Sequence, residues 1–341
     1  MFSHGENTMV RLNRKLALGL AAAVGLGAMT TASEATTKLT LVHPFPDFLI
    51  YTKQCKALVD HINKIGKGVI EIEVKPFNSI KMFQQPTAVS KGIVDLACTP
   101  AAFYARAIPE NEAISTASAT VMDARANGGI KLIDDLHQKK FNMKYLGWTS
   151  SGNNFRIYLA NPPKFNDKGL PDFSGVKMRD NPIYGAFLRA LKASTHNIPS
   201  TGVYSALEKH RVDGSPWATL GLINLKWDKF LRHGIEPVFY QTDIGWIMNL
   251  DKWKSLSPEA QKLLQDAVIQ SEIDNYKVLT GLADAERKKL ADGGMKFHQV
   301  PAAAEYLKIA VDSAFERMTE RLTEAKEDTA IVAELRSKFQ K

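Results

Sequence analysis

The chain holds only two cysteines, Cys55 and Cys98, in 341 residues. That is too few for a disulfide-framework fold or a multi-cysteine zinc module. It has no Gly-x-x-x-x-Gly-Lys-Ser/Thr phosphate loop and no Gly-x-Gly-x-x-Gly behind a strand, so the usual nucleotide cradles are absent. There is no Gly-x-Ser-x-Gly elbow, no His-Glu-x-x-His and no Cys-x-x-Cys. Beyond the N-terminal segment, His43, His61, His137, His196, His210, His233 and His298 are scattered, with no two at the three-to-five spacing of a metal pair. No metal site and no cofactor is expected. Asp134 and Asp135 fall on a helical stretch, and adjacent positions there face different ways, so they read as solvated surface charge. No basic run with interleaved aromatics is present, which argues against nucleic acid. Apart from the N-terminus, no run is apolar and long enough to span a bilayer.

What is present begins with an address. Arg11, Arg14 and Lys15 precede an uncharged apolar run, Leu16 to Ala28, and small residues follow from Thr30 to Ala35. That order is the one found in secretory signal peptides. The run is shorter than the roughly 20 residues of a spanning helix. Residues 1–35 are therefore expected to be a signal peptide cut after Ala35, the alternative being an uncleaved anchor; Met9 is an alternative start. Export would put the mature chain in the periplasm, where Cys55 and Cys98 could pair or remain free and buried. The charge balance, 44 Lys+Arg against 36 Asp+Glu, leaves small anions as a partner class once nucleic acid is set aside.

The remainder alternates between periods of two and of 3.6. Leu39–His43, Val69–Val74 and Ile93–Cys98 read as strands, with helices over Phe48–Ile65 and Gln84–Lys91 between them. A second α/β unit runs through strands near Tyr145, Phe155, Gly175 and Gly214, with helices over Tyr184–Ala193 and Val203–Lys209. Phe239 to Leu250 reads as one long strand returning to the first unit. Ser257-Pro258-Glu259 opens a helix that continues to about Leu290, long enough to brace two domains. The expected lobes are 36–150 with 243–282, and 151–242 with 283–341. An exported two-domain α/β chain without a catalytic motif points to binding and not to an enzyme.

Three stretches carry a resemblance. They are Lys91-Gly92-Ile93-Val94-Asp95-Leu96, then Leu170-Pro171-Asp172-Phe173-Ser174-Gly175-Val176-Lys177-Met178-Arg179, then Val203-Tyr204-Ser205-Ala206-Leu207-Glu208-Lys209-His210-Arg211-Val212-Asp213-Gly214. In order and spacing they resemble the solute-binding proteins of tripartite ATP-independent periplasmic (TRAP) transporters, the dicarboxylate-binding-protein family. The resemblance implies a type II-like periplasmic binding protein fold with two lobes, two mixed sheets, crossover strands and a long bracing helix. It implies capture of a small organic acid in the cleft and delivery to small and large integral permease subunits driven by an ion gradient. A sensory protein of the same fold, or an exported enzyme using the same cleft, are the alternatives.

Arg179 matches the family's ligand arginine, whose planar fork suits a carboxylate. Its removal is expected to abolish binding and leave folding intact. Where many members have Glu-Asn-Pro or Gln-Asn-Pro, this chain has Ser215-Pro216-Trp217; Trp217 would stack on a ligand or fill the space between lobes. A second arginine found in some sugar-acid binders has no counterpart in register, so Asn154 or Phe155 would form that wall and Arg156 would point away. Further cleft candidates are His43, Phe45, Thr99, Tyr104, Trp148 and Ser200. Phe45, Tyr104, Trp148 and Trp217 together would make an aromatic cleft, suited to a monocarboxylate with an apolar or aromatic body, or a hydroxy or keto acid.

Overall fold

The computed structural model describes residues 35–341, so the expected signal peptide lies outside the described residues, Ala35 excepted. Among the described residues twelve strands are present: β1 Thr37–Val42, β2 Ile70–Val74, β3 Leu96–Pro100, β4 Met143–Trp148, β5 Asn154–Leu159, β6 Lys177–Asp180, β7 Ser194–Asn197, β8 Gly214–Ala218, β9 His233–Glu236, β10 Phe239–Gln241, β11 Ile244–Asn249 and β12 Lys296–Gln299. The first sheet has the order β2-β1-β3-β11-β4. Its first three strands are parallel, and β11 enters antiparallel between β3 and β4. The second sheet has the order β12-β9-β5-β8-β6-β7, with β10 also paired to β5. Two mixed sheets, exchanging chain by crossovers, form two lobes.

The sequence period explains the elements. In the helix Ile50–Ile65 the buried residues are Tyr51, Thr52, Cys55, Leu58, Val59 and Ile62, one face at helical spacing. Gly66 ends it, its N–H donating to Ile62 O at 2.8 Å. Every residue of β3 is buried, as a strand covered on both faces must be. This strand starts at Leu96 and not at Ile93, which stands in a bend at 70% exposure.

The expected long strand Phe239–Leu250 is two strands. Gln241 ends β10 in the second sheet and Ile244 begins β11 in the first. Thr242 and Asp243 are the break, where the chain passes from one lobe to the other. The helix Pro258–Asp292 is 35 residues long. Ser257 caps it, its hydroxyl accepting from Ala260 N at 3.2 Å. Near its middle, Glu272 binds Arg125 through both oxygens at 2.7 Å and accepts from Trp148 N at 2.8 Å, on the first-sheet side. Near its end, Glu286 accepts from Gly221 N at 3.0 Å, on the second-sheet side. The helix Ala303–Glu324 also bridges, since Arg317 pairs with Glu112 and donates to Ile183 O at 3.2 Å.

Asp134 corrects the surface reading. It is 7% exposed and accepts from Tyr145 N at 2.9 Å, tying its helix to β4. Only Asp135 is on the surface, paired with Lys131. Cys55 and Cys98 are both buried and free. Their thiols adjoin, and burial pushes that of Cys55 upward. Among the described residues no helix is long and apolar enough to cross a membrane.

Candidate functional site

The segment leading to Arg179 is built by local chemistry. Asp172 Oδ1 accepts from Ser174 N at 3.1 Å and from its hydroxyl at 2.7 Å, which fixes a turn. Gly175 sits in it at φ 79°, a left-handed conformation natural to glycine. Phe173 anchors the turn in the core at 1% exposure. The chain then enters β6, held between β7 and β8.

Arg179 is 2% exposed. Its Nε donates to Ile198 O at 2.8 Å and its Nη1 donates to the Tyr184 hydroxyl. Burial pushes the Tyr184 phenol up to about 12, so it is neutral and donates onward to Pro216 O at 2.9 Å. The guanidinium carbon lies 5.7 Å from the Tyr184 ring centroid and 5.9 Å from that of Trp217. These are cation–π distances. Two of the five guanidinium N–H groups are thus used, and Nη2 has no protein partner among the described residues. One hydrogen on Nη1 and both on Nη2 remain for an end-on fork.

Trp217 forms one wall of a small cavity of about 20 Å³ between the lobes. Phe45, Tyr51, Pro100, Phe103, Phe155 and Asp243 contribute to the others. Phe45, Pro100, Phe103 and Trp217 stand at or just beyond the ends of β1, β3 and β8, where α/β sheets open to ligands. Phe45 and Tyr51 meet Trp217 edge-on, with centroids 6.3 and 6.4 Å apart. A hydrogen-bond chain closes this corner. The Tyr51 hydroxyl donates to Leu220 O at 3.1 Å and accepts from Asn153 Nδ2 at 3.0 Å. Trp217 Nε1 donates to the same Leu220 oxygen, also at 3.1 Å. One carbonyl therefore joins the helix of the first sheet to the loop of the second.

Of the expected site residues, Phe45, Phe155 and Trp217 line this cavity, and Arg179 packs directly behind Trp217. The others lie elsewhere. His43 turns its Nδ1 to Phe45 O at 2.9 Å, so it shapes the loop that carries Phe45. Thr99 is fully buried in β3 with its hydroxyl unpaired. Tyr104 bonds His137 Nε2 at 2.9 Å within the first lobe's core. That histidine is held neutral, burial lowering it to about 4. Trp148 gives its indole N–H to Thr242 O at 2.7 Å, bracing the crossover. Asn154 donates to Tyr240 O at 2.9 Å and lines a separate groove. Ser200 is buried at the start of the helix Ser200–Glu208. The wider aromatic cleft with Tyr104 and Trp148 is thus replaced by one built from Phe45, Tyr51, Phe103, Phe155 and Trp217. Arg156 faces Glu236 and Phe297, away from the cavity.

Among the wall residues not singled out from the sequence, two bear on the chemistry. Tyr51 reads as an ordinary core position of an amphipathic helix. Asp243 is the sole charged residue between Phe239 and Leu250, and a lone charge inside an apolar run is the signal that could have marked it. It is 1% exposed; its Oδ2 accepts from Ala102 N at 2.6 Å. Burial, with a contribution from Glu112, pushes its carboxyl up to about 7. Among the described residues no cluster of three or more metal-ligating side chains is present.

Comparison with known proteins places this geometry. The family described as bacterial extracellular solute-binding protein, family 7, matches residues 43–322. A curated relative, the monocarboxylate 2-oxoacid-binding periplasmic protein of Nostoc sp. (strain PCC 7120), is 23% identical over 157 residues, 44% of this chain and 41% of that protein. The chain thus spans less than half the length of that relative. Among solved structures, a Bordetella pertussis extracytoplasmic solute receptor binding pyroglutamic acid superposes with a TM-score of 0.76 at 16% identity, covering 89% of this chain and 99% of that one. A Bordetella bronchiseptica TRAP transporter solute-binding protein, with copurified calcium and picolinate in its site, gives 0.75 at 21% identity, covering 89% and 92%. These likenesses establish the two-lobed fold.

Proposed function

The chain belongs to the bacterial extracellular solute-binding proteins of family 7, the TRAP periplasmic solute receptors, which bind solutes and are not enzymes; from that premise we propose that it captures a small monocarboxylate between its lobes and hands it to a TRAP permease. The observation that carries this reading is Arg179, a buried cation with unpartnered terminal N–H groups that packs behind Trp217, one wall of a cavity lined mainly by aromatic and aliphatic groups. In such surroundings a carboxylate gains a charge-assisted, geometrically matched pair, and a neutral analogue leaves the arginine unanswered.

The lining of the cavity favours an apolar or ring-shaped body. At about 20 Å³ the cavity holds about one water in this form, so a ligand would enter as the lobes part. The ligands of the three relatives described above agree in kind: 2-oxoacids, pyroglutamic acid and picolinate are small monocarboxylates. Phe45 and Tyr51 on one side and Trp217 on the other come together only when the lobes close, so ligand and closure would stabilise one another. The lobes would be 36–150 with 243–282 and 151–242 with 283–341. The mature chain would act in the periplasm after loss of residues 1–35.

A thermal-shift screen of 2-oxoacids, pyroglutamate, picolinate and C4-dicarboxylates tests the proposal. The monocarboxylates are expected to raise the melting temperature with concentration, as a ligand of the native state does. A screen in which no acid shifts the melt, or in which dicarboxylates alone do, overturns it.

A further inference from the structure

Asp243 lines the cavity and is incompletely satisfied. Its backbone carbonyl accepts from Ala101 N at 3.0 Å and its Oδ2 from Ala102 N at 2.6 Å, so the residue caps the turn that opens with Ala101. Its Oδ1 is buried and has no partner. The groups facing it offer no cation. The turn brings Tyr104, and β4 brings Tyr145 with an unpaired hydroxyl. Asn111 spends its amide on Ala101 O at 2.9 Å. Glu112 adds negative charge, although it is itself committed to Arg317 and Arg321. Across the cavity stands the phenol of Tyr51, and the cavity lining contains no Lys, Arg or His.

The charge balance then decides the protonation state. A carboxylate ligand brings one negative charge, and Arg179 answers it. An ionised Asp243 would leave a second negative charge in an aromatic cavity with a single N–H donor, an expensive arrangement. A neutral acid removes that charge and supplies a donor at the unpaired oxygen. We propose that Asp243 is a second recognition group of the cavity, binding in its acid form and donating its Oδ1–H to an oxygen of the ligand. This rests on the reading of the cavity as a monocarboxylate site. It narrows the class to acids with an exposed oxygen acceptor, such as oxo acids or lactam acids, and it disfavours ligands with an ammonium group, which would need the carboxylate. The proton comes from solvent: carboxylate, proton and ligand anion combine, and no other bond changes.

The test is isothermal titration calorimetry with the tightest binder among pyruvate, 4-methyl-2-oxopentanoate, pyroglutamate and picolinate, in two buffers of different ionisation enthalpy. Free Asp243 titrates at about 7. From about pH 5.5 to about pH 8.5, affinity is expected to hold level on the acid side, then to fall towards tenfold per unit, with close to one proton taken up per ligand near pH 8.5. Asp243→Asn keeps an acceptor for Ala102 and a donor at the free position. It is expected to bind with an affinity that does not vary with pH and without proton uptake. A wild-type affinity that stays level or rises with pH overturns the proposal even if the variant fails to fold. Failure of all four probes to bind at any pH defeats the monocarboxylate reading itself, a different result from pH-independent binding.

Discussion

Replacing Arg179 by lysine separates the two jobs the structure gives this side chain. Lysine keeps the charge and most of the stem but carries its donors on one atom. It can reach Ile198 O or the Tyr184 hydroxyl, not both, and it cannot lie flat between Tyr184 and Trp217. One lost hydrogen bond from a charged group costs about 1.5–3 kcal/mol, and the weakened ring contacts about 0.5–1 more. The variant is therefore expected to be less stable by about 2–4 kcal/mol in urea denaturation. The ligand loses one arm of the fork, again about 1.5–3 kcal/mol, so affinity by calorimetry should fall roughly ten- to hundredfold. A folded variant that binds within about twofold of wild type would show Arg179 to be a strut behind Trp217 and refute its role in recognition. The same contacts revise the expectation for Arg179→Ala. That change would leave Ile198 O and the Tyr184 hydroxyl without their donor in the core, so it cannot spare the fold.

Tyr51→Phe removes the hydroxyl that reaches across the lobes to both Asn153 and Leu220; at about 1–2 kcal/mol for the pair of bonds, ligand affinity should drop roughly five- to thirtyfold, and unchanged affinity in calorimetry would remove this bond from the closure mechanism. Glu272→Gln leaves Arg125 without its counter-charge on the bracing helix. The expected loss is about 3–5 kcal/mol in urea denaturation, and a loss under about 1 kcal/mol would contradict the bracing role. Asp243 also predicts a pH effect on the unliganded protein. Its folded pKa of about 7 lies above the ordinary 3.8, so the native state holds the proton more tightly. The stability this gives is full below the ordinary value and is lost as pH rises towards 7, a change of about 4 kcal/mol. Asp243→Asn has no such loss, so the stability difference between wild type and variant should shift by about that amount between those limits. A constant difference would mean that Asp243 ionises normally.

The sheets and the helices were legible because their causes are local. Alternation set β2, helical spacing set Ile50–Ile65, and Ser257-Pro258 set the start of the long helix. The run ending in Arg179 carried both its turn chemistry and its family likeness. What the sequence hid was long-range. Phe239–Leu250 is continuously β-prone, and nothing local says that its two halves pair with different sheets. The four residues of β12 are too few for a periodicity to register between two helices. Tyr51 and Asp134 carry ordinary helix-face signatures; their partners, Leu220 and Tyr145 N, belong to other elements and are fixed only by the tertiary structure. For the same reason Tyr104 and Trp148, which sit near strand ends in sequence, turned into the first lobe's core and the crossover instead of the cavity.

Trp217 links these observations into one mechanism. From sequence it could stack on a ligand or fill the space between lobes, and in the structure it stands between the lobes. Its ring faces the Arg179 guanidinium, lines the cavity, meets Phe45 and Tyr51 of the opposite lobe, and packs on Trp227 at 4.9 Å between centroids. Its N–H shares the Leu220 carbonyl with Tyr51. In an open form the contacts to Phe45 and Tyr51 are lost, while those to Arg179 and Trp227, made within one lobe, can persist. The tryptophan is then a fixed platform that the other lobe closes onto. A ligand held by Arg179, as proposed, would lie beside that platform, so charge recognition and lobe closure would meet at one ring. This geometry gives the coupling a physical basis: an acid that satisfies Arg179 but is too bulky to let Phe45 and Tyr51 return to Trp217 would bind the open form without stabilising the closed one.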